Sequence, residues 1–160
     1  MHLCVQHGQL RLRDAPWFVD ARAPRPTAFC THAHADHVAD HGELVATDLT
    51  CDLLAARRVC TPMVRLAFDT MRSVGPYRVR AMPSGHCAGA AMLRIERDGE
   101  VTIYGGELGR PGVRASTPLA PACCETLVVD ATGLQRASAP SLADARSELT
   151  ERVVEWLRHR

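Results

Sequence analysis

Apolar and polar positions alternate over short stretches through most of the chain, and a period of two predicts strands. Leu10-Arg11-Leu12-Arg13 alternates, and Trp17-Phe18-Val19-Asp20-Ala21 is an apolar run. Pro24 and Pro26 separate these from Thr27-Ala28-Phe29-Cys30, a third strand that runs straight into histidines. Leu44-Val45-Ala46 predicts another short strand, followed by a helix near Thr50 to Arg58 that Pro62 is expected to stop. Tyr77-Arg78-Val79-Arg80-Ala81 alternates cleanly. Ala91 to Glu96 and Val101 to Tyr104 form a hairpin turning at Asp98-Gly99. A loop rich in Gly, Pro and Ala spans Gly109 to Ala122, before a last strand, Thr126-Leu127-Val128-Val129. The period then lengthens. Ser141, with Asp144 three residues on, reads as a helix start, and Leu142, Leu149, Val153, Trp156 and Leu157 make one apolar stripe on a helix running to His159.

Composition narrows the class. A chain of 160 residues with 46% hydrophobic and 23% charged residues suits one folded domain and excludes collagen-like, coiled-coil and disordered chains. No apolar run approaches the roughly 20 residues of a membrane helix, and the opening Met1-His2-Leu3-Cys4-Val5-Gln6-His7 lacks a basic, greasy leader. A cytoplasmic protein with no membrane partner is the expectation. The net charge is +1 and every one of the 19 basic residues is arginine, in no run or stripe, which permits a nucleic-acid partner without demanding one. Seven cysteines without a C-x-x-C pair predict reduced, mostly buried thiols rather than a disulfide framework.

The candidate chemistry is concentrated in Thr31-His32-Ala33-His34-Ala35-Asp36-His37, where four ligand-type side chains fall within six positions. At the chain's own His and Asp frequencies, H-x-H-x-D-H arises by chance about once per thousand such sequences. A loop after a strand can turn His32 and His34 toward one cation while Asp36 and His37 face a second. Imidazole and carboxylate suit zinc, with manganese or iron as alternatives, and two such ions sharing a water lower its pKa toward neutrality. The competing reading is a solvated histidine loop or a purely structural metal site. Cys30 and Cys87 read as small buried hydrophobes, and His2, His7 and His41 as surface or supporting groups.

Thr31 to His37 resembles the T-H-x-H-x-D-H signature of the metallo-β-lactamase superfamily. Ser84-Gly85-His86-Cys87-Ala88-Gly89-Ala90, Ile103-Tyr104-Gly105-Gly106-Glu107 and Leu127-Val128-Val129-Asp130-Ala131-Thr132-Gly133 are similar to segments of its β-CASP nuclease branch. Within that branch the likeness is to the ligase-associated, exonuclease-like group related to messenger-RNA 3′-end processing and SNM1/Artemis nucleases. The resemblance implies an α/β (α+β) fold, a metallo-β-lactamase-like αββα sandwich represented by its N-terminal half. Residues 1–140 would be the metal-binding domain, and 141–160 an amphipathic helix packed on it or on a partner. By position, the resemblance makes His86 the third ligand of the first metal and Glu107 the carboxylate bridging both, with Asp36 and His37 as catalytic residues of a two-zinc site.

There are departures from the family's pattern. Glu107 stands where the family has aspartate, Ala90 replaces serine and Asp130 replaces glutamate. The sequence also lacks counterparts of the β-CASP cap, the second half of the sandwich and the last histidine ligand, since His159 reads as a last-turn helix residue. The leading expectation is a nuclease-type hydrolase cutting DNA or RNA phosphodiesters. The alternatives are a small-molecule hydrolase of glyoxalase II or lactonase type, and a catalytically impaired metal-binding or interaction module. A homodimer, or a second chain completing the fold, is the partner expectation.

Overall fold

Strands with apolar residues on both faces make up the centre of the first sheet. β1 (Leu3–Gln6) and β3 (Trp17–Val19) each pair antiparallel with β2 (Gln9–Leu12) between them. β4 (Thr27–Phe29), β5 (Glu43–Ala46) and β6 (Met63–Arg65) then continue parallel to β3, giving the order β1-β2-β3-β4-β5-β6. The second sheet is β11-β10-β9-β8-β7, from β7 (Met71–Val74), β8 (Tyr77–Pro83), β9 (Ala91–Arg97), β10 (Glu100–Gly106) and β11 (Thr126–Val129). The computed structural model describes residues 2–109, 116–131 and 141–158, in two compact units, Met1–Asp130 and Ala131–Arg160. The α/β class with two sheets and few helices, expected from the sequence, is the one observed.

Alternation places the core. Trp17, Val19, Phe29 and Val45 of the first sheet meet Tyr77, Val79, Ala81, Leu93 and Ile95 of the second in one buried cluster. The intervening residues face outward. Leu44, Ala46 and Cys30 are buried under Cys51 and Leu54 of α1 (Asp48–Ala56). Met82, Met92 and Ile103 are buried on the outer face of the second sheet with Ala120 and Cys124 against them. The 116–125 segment is held there by Ala120 N–H to the Pro83 carbonyl (3.1 Å) and Glu125 N–H to the Val101 carbonyl (3.1 Å).

Several boundaries differ from the sequence expectation. α1 begins at Asp48 because Thr47 Oγ1 caps it, accepting from Thr50 N–H. It stops at Ala56, where Arg58 takes a left-handed φ of 61°, so Pro62 lies beyond the true stop. β1, β6 and β7 escaped the pattern because they are partly exposed edge or near-edge strands ordered by their neighbours. Of the seven free cysteines only Cys30 and Cys51 are buried, which corrects the expectation for the rest. His2 and His41 are buried: His2 Nε2 lies 3.1 Å from the Glu100 carbonyl, and His41 Nδ1 accepts from Arg25 N–H at 3.1 Å.

In the second unit, α2 (Leu142–Arg158) starts as expected, with Ser141 Oγ accepting from Asp144 N–H at 3.1 Å. Leu149, Val153, Val154, Trp156 and Leu157 are exposed on it. His159, Thr132 and Gly133 lie outside the described residues. No helix among the described residues is long and apolar enough to cross a membrane.

The loop after β8 is tied to α1. Thr47 Oγ1 (2.6 Å) and Thr50 Oγ1 (3.0 Å) both donate to the Gly89 carbonyl. Gly89 has φ +76°, and a Cβ there would lie 2.8 Å from Thr50 N. Gly89→Ala is therefore expected to lower stability by about 1–3 kcal/mol, read by urea unfolding. An unchanged midpoint would show that the loop absorbs the clash.

Candidate metal centre

Chain direction gathers the site. β3, β4 and β5 are parallel and end on Asp20, on Thr31–His37 and on Thr47 respectively, so their following loops leave from one edge. β8 and β10 both run antiparallel to β9, and β11 runs parallel to β10. Their ends deliver His86, Glu107 and Asp130 to that same edge, and the Asp130 N–H bonds the Gly106 carbonyl at 2.8 Å. The β10–β11 register slips between Tyr104 and Gly106, and Gly106 turns with φ +53°. A Cβ on Gly106 would sit 2.8 Å from Thr31 Cγ2, so glycine lets Glu107 approach the histidine loop.

Donor atoms of His32, His34, His86 and Glu107 all lie within 4.8 Å of one another, as do those of His37, Glu107 and Asp130. Glu107 belongs to both groups. Its Oε2 is 2.8 Å from His86 Nε2 and its Oε1 is 3.7 Å from His37 Nε2. The His32 ring centroid is 4.4 Å from that of His34, 4.3 Å from His37 and 4.7 Å from His86. Asp36 belongs to neither group: the 3-10 turn Ala35–His37 sends His37 inward and leaves Asp36 exposed. Its Oδ2 lies 3.7 Å from both His37 Nε2 and Arg22.

Sequence reading gave no role to Asp20 and did not count Asp130 as a ligand. Both follow directly on strand carboxyl ends, and that position was the available signal. The Asp20 side chain is only 4% exposed and its backbone has φ +42°. It accepts from Thr31 N–H (2.8 Å), Thr31 Oγ1–H (2.7 Å) and Tyr104 O–H (2.9 Å), and its Oδ2 lies 3.1 Å from His37 Nδ1. Because Thr31 spends its hydroxyl hydrogen on Asp20, its oxygen can only accept from His32 Nδ1, 2.9 Å away. This places the His32 proton on Nδ1 and leaves the Nε2 lone pair facing His34 and the cluster. Thr31→Val is expected to weaken zinc binding by about 10–100-fold with the fold intact, read by competition with a chromophoric chelator. Unchanged affinity would mean that the hydroxyl does not set the tautomer.

Electrostatics favour neutral, lone-pair-bearing rings at His32 and His86. Burial, reinforced by His37 and His34, holds His32 down at about 4, and burial also lowers His86. For His37 burial opposes protonation, but Asp20, Asp36 and Glu107 together outweigh it and raise the ring's pKa. Burial and the Asp20 carboxylate push the Tyr104 phenol far above its ordinary range, so it remains a donor. Four imidazoles crowded without a cation are a poor arrangement, and the buried Nε2 atoms of His37 and His86 make no aligned hydrogen bond. A borderline divalent cation fits this donor set and would satisfy both atoms.

No protein-family model matches the chain. A protein from Opitutus terrae named "Probable DNA ligase" is 30% identical over 129 residues, which is 79% of this chain and 13% of that protein. Among solved structures, a metallo-β-lactamase HARLDQ-motif mutant from Cronobacter sakazakii is 17% identical with a TM-score of 0.49, covering 65% of this chain and 57% of that one. The metallo-β-lactamase fold protein YhfI from Bacillus subtilis is 16% identical with a TM-score of 0.44, covering 61% and 52%. At such identities these likenesses concern chain path alone, and the chemistry rests on the side chains.

Proposed function

We propose that the chain carries the metal-holding half of a metallo-β-lactamase-type hydrolase that cuts nucleic-acid phosphodiesters. The observation that carries this reading is the pair of donor groups sharing Glu107 at one edge of the two sheets. Support for a nucleic-acid substrate comes from the sequence segments around His86 and Asp130 and from the relative's printed name. The chain spans only 13% of that relative's length.

His32, His34, His86 and Glu107 would hold one cation, and His37, Glu107 and Asp130 a second, with Asp36 beside it. When bound, such cations supply Lewis acidity at a phosphoryl oxygen and lower the pKa of water. The chain's own groups then have distinct tasks. Thr31 fixes the His32 tautomer, and Asp20 braces His37 through Nδ1. Asp36, exposed at the rim, orients the attacking water and accepts its proton at Oδ2.

Zinc reconstitution followed by metal analysis and hydrolysis of bis(4-nitrophenyl) phosphate tests the reading. One tighter and one weaker zinc are expected, because the three-imidazole group is richer in nitrogen donors than the one-imidazole group. Less than about a tenth of an equivalent bound at neutral pH overturns it. Zinc without phosphodiester cleavage, but with thioester or lactone hydrolysis, favours the small-molecule reading.

A further inference from the structure

Beside His37 and Asp130 the same edge opens into a cavity of about 370 Å³ whose remaining lining belongs to neither donor group. Half-buried Leu10 and Ala23 form the apolar part of its wall, with the buried Val19 behind them, and His7, Gln9 and Arg22 contribute polar side chains. The deeper polar groups, Asp20 and Tyr104, are bonded to each other and need no ligand. Arg22 differs. Its guanidinium side chain is 63% exposed and approaches Asp36 only at 3.7 Å, outside hydrogen-bond distance, which leaves a planar fork of donors at the site.

We propose that this cavity is the subsite for one nucleotide unit of a single-stranded phosphodiester chain, with a phosphate flanking the scissile bond held by Arg22. The inference rests on the phosphodiester reading above and adds the strand form and the residue that grips it. A volume near the lower end of the roughly 300–1,000 Å³ of small-ligand sites admits one such unit. A duplex keeps its bases stacked inside and offers such a recess only its backbone, whereas a single strand can place a sugar and base against the half-buried Leu10 and Ala23. Arg22 suits a phosphate because its fork pairs two oxygens at once. Arg22 is 63% exposed and its carboxylate neighbour is Asp36, at 3.7 Å, so a phosphate held there competes with Asp36 for the guanidinium.

The test measures fluorescence anisotropy of labelled oligo-dT and oligo-rU, each about twelve nucleotides long, against zinc-loaded protein in the cold, with strand integrity read afterwards. Arg22→Gln is expected to weaken binding about tenfold and to lower the salt slope by about 1. Ala23→Trp, which fills the recess without removing charge, should weaken it as well. Arg78→Gln removes the same charge from the exposed face of β8 and should change binding less than about twofold. Unfolding midpoints establish that each variant is folded. Equal losses for Arg22→Gln and Arg78→Gln, full binding by Ala23→Trp, or no binding of either strand by the wild type would overturn the subsite. Arg22-dependent binding in the cold, with both strands still uncut after the zinc-loaded mixture is warmed and incubated, would support the subsite and overturn the hydrolase reading alone.

Discussion

Replacing His86 with alanine is expected to leave the protein folded and to empty its tighter zinc site. His86 lies in the loop after β8, outside the inter-sheet core, so its loss removes a ligand without opening a large cavity. Its Nε2 lies 2.8 Å from Glu107 Oε2, and both share a group with the Nε2 lone pair of His32. Losing one of three imidazoles should reduce affinity by at least the roughly 10–100-fold seen for groups that only support ligands. The tighter zinc should be lost on gel filtration, leaving at most the weaker one on His37, Glu107 and Asp130, with circular dichroism unchanged. Full zinc in His86→Ala would remove this residue from the centre. Glu107→Ala is the sharper companion, because Glu107 belongs to both donor groups and its loss should weaken both zinc sites in one titration.

Asp20→Ala is expected to cost about 3–5 kcal/mol of stability, the range for removing one partner of a buried charged network. The carboxylate accepts from two Thr31 groups and from Tyr104, and stands against His37. Alanine would leave those donors buried without acceptors. For a chain of this size the thermal midpoint should fall by roughly 10 °C. Tyr104→Phe removes a single donor and should cost only about 1 kcal/mol. Similar small losses in both variants would show that Asp20 is not the hub. The metal should respond too, because Asp20 braces His37 and receives the Thr31 hydroxyl that orients His32, so zinc release at matched temperature is a second readout.

The strands that flank the site were legible as short apolar or alternating runs. Trp17–Val19, Thr27–Phe29 and Tyr77–Pro83 carry their pattern in a few residues, and the hairpin at Asp98-Gly99 carries its turn. β6 and β7 were not legible, since Met63–Arg65 and Met71–Val74 expose much of their length and owe their order to a neighbouring strand. The end of α1 was misread for a related reason. A left-handed Arg58 closes it, and arginine gives no sequence signal for that conformation.

The sequence by itself determined the donor types and their local order. His32, His34, Asp36 and His37 are consecutive enough that any loop after β4 must present them together. Only the tertiary structure decided which of them converge. Asp36 turns outward, while Asp20 and Asp130, from strands on two different sheets, join the histidine loop through the shared direction of β3, β4, β10 and β11. Side-chain identity is written one residue at a time, whereas convergence depends on which strand ends share an edge. That follows from pairing between segments as far apart as Asp20 and Tyr104, a relation that local periodicity does not carry.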